Sequence, residues 1–195
     1  MTEPNNSLAI GIQEFIRELM DQKRSFTVQS IEKKKTNFEF SVEYNAVRIL
    51  VIVKYCSVNR KIDSQVKFTF YDFLLRFPIC LKYILEKNGK TNETFTDAEL
   101  RSIDNKMVKY VSSAWDPDYY NYLAFLTSRG LIMTNFANRF ELEITELGEK
   151  TIEQFEGSEI ARLIRRTKML KELFSEKRES DILAIINTDF KFTVL

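Results

Sequence analysis

The stretch DPDYYNYLAFLTSRGLIMTNFANRFELEITELG, Asp116 to Gly148, decides how this chain is read. Asp116 before Pro117 has the form of a helix start: a carboxylate cap, a proline at the first helical position, and Asp118 in the first turn near the positive end of the dipole. The helix so opened runs to Gly130. Leu131–Met133 and Phe140–Ile144 are then short apolar runs separated by Asn135, Ala137 and Asn138, the pattern of a small hairpin. Thr145–Gly148 leads into another helix.

Upstream, Gln65–Phe77 and a second segment beginning at Pro78 read as two closely joined helices, the second ended by Asn88-Gly89. Thr96-x-x-Glu99 is a capping-box signature for a helix over Asp97–Ser112. Val47–Tyr55 is rich in β-branched residues and suits a strand, yet Ala46, Ile49, Leu50 and Val53 share one helical face, and a helix is the reading adopted. Ser57–Ser64 reads as a polar connector. Helix, helix closing on Arg-Gly-Leu-Ile, two-stranded wing and following helix is the order a winged-helix unit requires.

The flanks read as additions. Residues 7–22 form an amphipathic helix opened by Ser7, and 25–42 alternate as a β-hairpin about the Lys33–Asn37 turn. Ser158–Arg178 is a helix with Ile160, Leu163, Ile164, Thr167, Leu170 and Phe174 on one face. The expected fold class is mainly α with small β-hairpins (α+β). It comprises an N-terminal helix and hairpin extension (1–42), a winged-helix-like core (43–157), and a C-terminal basic helix and tail (158–195).

Composition narrows the function. With 195 residues, 44% hydrophobic and 16 phenylalanines, the chain has ample material for a core. Its formal net charge of +1 supplies no global field toward nucleic acid or an acidic membrane. The absence of histidine excludes Ser-His-Asp and Cys-His nucleophiles, HExxH metal sites and histidine proton shuttles. The five glycines form no phosphate cradle. Asn88-Gly89-Lys90-Thr91 copies the end of a phosphate-binding loop, but Ile84 stands where its first glycine belongs. Cys56 and Cys80 lie in apolar stretches and read as buried thiols. Asp116 and Asp118 are the nearest approach to a carboxylate pair, and their helix-start roles explain them better. No catalytic residue, metal ligand, cofactor or small-molecule substrate is therefore expected. No apolar run is long enough to cross a membrane, and MTEPNNS lacks the features of a secretory signal, so a cytoplasmic location is expected.

Two surfaces carry candidate contacts. The helix after Pro117 holds one basic side chain, Arg129, at its far end, so it is poorly equipped to read base edges. Its Tyr119, Tyr120 and Tyr122 point to a protein partner or to core packing. On the 158–178 helix, seven basic residues face three acidic ones. Arg162, Arg165, Arg166, Lys168 and Lys171 are its candidates for sequence-independent DNA contact, the alternative being a solvated polar face. Asp72 and Arg76 sit one helical turn apart, as a local ion pair or as a partner contact.

Three motifs carry a family resemblance: FYDFLLRFP (70–78), KYVSSAWDPDYYNYLAFLTSRGLI (109–132) and ITELGEKTIEQF (144–155). In these the chain resembles the middle component of three-component ABC systems, which includes the small subunit of Lamassu-type antiphage defence. The resemblance runs from about residue 43 to the C-terminus. The family pattern favours glycine and arginine where this chain has Ala114 and Asp118, which puts any phosphate or carboxylate contact of that arginine in doubt here. The resemblance implies a non-catalytic subunit similar to the winged-helix accessory proteins of SMC complexes. Such a subunit would sit on an SMC-like ABC ATPase and couple DNA sensing to an effector, commonly a nuclease. The alternative is a winged-helix transcriptional regulator.

Overall fold

The computed structural model describes residues 42–101, 118–137 and 139–190. The expected helix 7–22 and almost all of the hairpin 25–42 lie outside them, as do Asp116, Pro117 and Asn138. Val42, the last hairpin position, instead opens the first helix.

That helix, α1 (Val42–Cys56), is the axis of the fold. Ile49, Leu50, Val51, Ile52 and Val53 are all buried, which explains why the segment shows no clean amphipathic period: a helix enclosed on every side is apolar all round. It is surrounded by α2 (Gln65–Arg76), α5 (Tyr119–Ser128), α6 (Glu146–Glu153) and α7 (Ser158–Phe174). The helix reading of Val47–Tyr55 holds, with five more residues before it and one after.

Local chemistry sets the boundaries. Ser64 caps α2, its hydroxyl accepting from the Lys67 N–H, and Pro78 opens α3 (Pro78–Lys87) at its first turn. Gly89 then takes φ +72°, a left-handed conformation that ends α3. The Thr96/Glu99 capping box forms as expected and opens α4 (Asp97–Leu100), with Arg101 at its C-cap; the rest of the expected helix, 102–112, lies outside the described residues. After α7 come α8 (Glu179–Ile185) and a π-helical turn, Ile186–Phe190, whose Phe190 ring meets Phe73 edge-on at 5.3 Å.

Three short strands, β1 (Lys61–Ile62), β2 (Ile132–Asn135) and β3 (Glu141–Ile144), form an antiparallel sheet in the order β1-β3-β2. Ile62 pairs with Leu142 and Ile132 with Ile144, which places apolar side chains against α1, while Lys61 pairs with Glu143. The β2–β3 hairpin is legible in the sequence. β1 is not, because two residues inside the polar connector carry no alternation, and only tertiary pairing with β3 defines them.

α7 is part of the same core. Leu170 and Phe174 are fully buried, and the Phe174 ring meets Phe70 of α2 edge-on at 5.0 Å. The Cys56 thiol reaches the Thr167 carbonyl at 3.5 Å, tying the end of α1 to the middle of α7.

The β2–β3 hairpin is locked to α6 by two features of the ITELG segment. Thr145 caps α6, its hydroxyl accepting from the Gly148 N–H and donating to the Gly130 carbonyl at 2.6 Å. A Cβ on Gly148 would stand 2.2 Å from the Leu131 backbone oxygen, so the position excludes every side chain. Gly148→Ala is therefore expected to destabilise the fold by about 1–3 kcal/mol, the usual range for overpacking against immovable atoms. Gly89→Ala, strained in φ but with open space around its Cβ, is the milder comparison. Thermal unfolding of the two variants reads the difference directly.

Candidate functional site

Asp72 of α2 is completely buried and serves three partners on three helices. Arg48 of α1 grips it as a fork, Nε to Oδ1 at 2.7 Å and Nη2 to Oδ2 at 3.4 Å. The Tyr119 hydroxyl of α5 donates to Oδ2 at 2.7 Å, and the Arg76 Nε stands 3.0 Å from the same oxygen. Asn45 holds the outer edge of Arg48 by accepting from Nη1 at 2.6 Å. Burial alone would push the Asp72 carboxyl up; the charges of Arg48 and Arg76, with hydrogen bonds from Arg48 and Tyr119, instead hold it below its ordinary value. Burial and the neighbouring Asp72 charge push the Tyr119 hydroxyl well above its own, so it remains a donor.

Asp72 and Tyr119, both candidate partner contacts, thus spend their polar groups inside the fold. Tyr122 is also in the core. Arg76 is largely enclosed, its guanidinium 5.8 Å from the Tyr119 ring centre. Of the three tyrosines, Tyr120 lies at the surface, 61% exposed. It borders a groove of about 260 Å³ with Leu123, Phe136, Phe140, Ala137, Arg139 and Gln65. On the β2–β3 hairpin, Met133 and Phe136 are exposed at 52% and 46%. No residue of α5, Tyr119 to Ser128, is charged. Charges of the sheet and its β2–β3 loop pair with one another, Lys61 with Glu141 and Glu143 at 3.1 Å each, and Arg139 with Glu141 at 2.6 Å.

The α7 cations are also engaged. Arg165 donates to both oxygens of Glu93, at 2.7 and 3.0 Å. Arg166 bridges Glu93 at 2.8 Å, Glu99 at 2.7 Å and the Thr94 carbonyl at 3.0 Å, with its guanidinium 4.3 Å over the Phe95 ring. Arg162 meets Glu99 at 3.4 Å and pairs with Glu159. Lys171 donates to the Ser57 carbonyl at 2.8 Å, and the Lys168 ammonium stands 5.0 Å from the Tyr55 ring centre. Within residues 88–101, Glu93 is the buried side chain. This strap is anchored to α7 by a carboxylate where an apolar residue would be usual. Burial works to raise Glu93 and Glu99, but hydrogen bonds and charge from the arginines hold both below the ordinary range.

Arg48 and Glu93 are the residues that reading the sequence misses. Their partners lie 24 and 72 or 73 positions away, and no local spacing signals them. Glu99 is found as a capping-box residue, but its second use, on Arg166 and Arg162, is a product of the fold. Cys56 and Cys80 are buried free thiols, and burial pushes Cys80 up to about 12. Among the described residues no group of three or more His, Cys, Asp or Glu side chains is placed to hold a metal ion, and no helix is long and apolar enough to cross a membrane.

A family model for the ABC-three component (ABC-3C) system Middle Component 4 matches residues 54–180. The chain belongs to this family. The match runs from the end of α1 into α8 and contains Asp72, Arg76, Tyr119 and the whole strap. Membership makes the Middle Component 4 chain one component of a three-component ABC system, with an accessory role. No curated protein and no solved structure gives a significant match.

Two outcomes follow from the geometry. Asp72→Ala strands the buried Arg48 guanidinium and should cost about 3–5 kcal/mol, whereas Tyr119→Phe removes one charge-assisted hydrogen bond, about 1.5–3 kcal/mol. Urea denaturation gives both values, and a D72A chain as stable as wild type would dismiss the network. Asp72, Glu93 and Glu99 are all held lower in the folded chain than when unfolded. Their stabilisation is complete above the unfolded carboxyl values of about 4, and is lost as pH falls from there toward the folded values. The thermal midpoint should accordingly drop on acidification below about pH 4, and less steeply in Glu93→Gln.

Proposed function

We propose that this chain is a non-catalytic accessory subunit that binds an SMC-like ABC ATPase and helps couple DNA sensing to an effector, commonly a nuclease, in an antiphage or plasmid defence complex of the Lamassu type. Family membership supports the three-component setting. The order α1, β1, α2, α5, β2, β3, with sheet order β1-β3-β2, supports a winged helix in which α3, α4 and the strap form an insertion between the second and third helices.

One observation carries the reading. The helix and wing that would meet DNA in a sequence-specific winged helix present exposed Tyr120 and Phe136 on a groove whose one charged lining residue is Arg139, and exposed Met133 on β2, with no charge on the helix itself. A DNA-reading face needs Arg, Lys, Asn or Gln aimed at base edges and cations on phosphates. Aromatic residues and methionine in a charge-poor patch are what buried protein contacts favour. The transcriptional-regulator reading loses support for the same reason.

Co-expression with the products of the neighbouring genes, followed by affinity pull-down on this chain, tests the proposal. The wild type is expected to retain a large ATPase, and Met133→Glu with Phe136→Glu to lose it while the far-UV circular dichroism spectrum is unchanged. A wild-type chain that emerges alone beside such an ATPase sinks the reading.

A further inference from the structure

Between the turn at 88–92 and the outer face of α7 runs an open groove of about 730 Å³, larger than the one beside the wing. Gly89, Lys90 and Asn92 line one wall; Ala161, Ile164, Arg165, Lys168, Met169 and Glu172 line the other. The α7 residues recur three and four apart, so they form one continuous helical stripe. Ala161, Ile164 and Met169 supply its apolar lining, and Lys90, Arg165 and Lys168 its cations.

We propose that this groove docks an acidic peptide segment of a partner protein, one that sets an apolar side chain on the apolar lining and carboxylates against Lys90, Arg165 and Lys168. Charge complementarity selects the occupant. The lining holds three cations against a single carboxylate, Glu172, which Lys90 engages at 2.8 Å. Arg165 commits Nε and Nη2 to Glu93, its Nη1 has no acceptor among the described residues, and half of its side chain is at the surface. Lys168 meets the face of Tyr55 and forms no ion pair among the described residues.

The same surface suits nucleic acid less well. Bases of a single strand need aromatic faces to stack on, and none lines the groove. A duplex needs a long row of cations available to phosphates, whereas Arg162, Arg165 and Arg166 are paired with Glu93, Glu99 and Glu159, and Lys90 with Glu172. A lining of apolar residues and cations is complementary to alternating apolar and acidic side chains, the composition of an acidic amphipathic segment.

Fluorescence polarisation with the full chain tests this, using three probes: a labelled peptide of leucines spaced among glutamates, the same peptide with glutamine for glutamate, and a labelled DNA duplex. The glutamate peptide is expected to bind more tightly than the glutamine peptide, by a margin that shrinks as salt rises. Lys90→Glu with Lys168→Glu should weaken the glutamate peptide by about tenfold and leave the glutamine peptide nearly unchanged. Ala161→Trp, which fills the groove from an exposed position, should weaken both. Met133→Glu with Phe136→Glu, on the wing, should change neither. Circular dichroism verifies that each variant is folded. Equal binding of the two peptides, no binding of either, unchanged binding in the variants, or tighter binding of the duplex overturns the proposal.

Discussion

A single carboxylate, that of Asp72, is shared by a guanidinium from α1, a hydroxyl from α5 and a second guanidinium one turn along α2. Enclosed at 0% exposure, it could not remain ionised without them. A buried charge tolerates few arrangements of its neighbours. The angle between α1 and α2, and the seat of the first turn of α5, are therefore fixed by polar geometry, where apolar packing alone would allow sliding. The apolar core around Ile49–Val53 supplies most of the burial; Asp72 selects which packing of that core is populated.

A second cluster performs the same kind of work on the insertion. The strap 88–101 has little apolar surface to bury and is instead tied to α7 through Glu93 and Glu99 on three arginines. The basic stripe of α7 is thereby changed in character. Counted along the chain it is a cationic helix, but folded, its inner arginines are neutralised by carboxylates brought from more than sixty positions away. Lys168 forms no ion pair among the described residues, and Lys90 and Arg165, though paired with Glu172 and Glu93, keep about half of their side chains at the surface beside the apolar residues of the groove.

These two clusters divide the molecule's surfaces. Asp72 and Tyr119 are consumed in holding α5 to the core, and what α5 then offers outward carries no charge, with Tyr120 exposed on it and Met133 and Phe136 exposed nearby on and after β2. The strap and α7 offer a mixed apolar and cationic groove on separate residues. An accessory subunit that has to touch more than one partner needs such chemically distinct faces, and Middle Component 4 membership supplies the three-component setting for them.

How much of this was legible beforehand depends on the range of the interactions. The sequence alone determined what is local: the cap at Thr96, the start at Pro78, the stop at Gly89, the hairpin strands β2 and β3, the helix entered after Thr145, and the exclusion of histidine chemistry. Each depends on residues within a turn of one another, where spacing fixes geometry. The family, too, was visible, because its motifs are contiguous runs. The fates of the charged and aromatic candidates were decided only by the tertiary structure. Tyr119 and Tyr120 are neighbours of identical chemistry, yet one is buried on Asp72 and the other is exposed. Arg166 and Lys168 lie half a turn apart, yet one is locked to the strap while the other lines the groove. Periodicity gives a side chain its direction on a helix; which carboxylate or cavity waits there is set by segments far away in the chain.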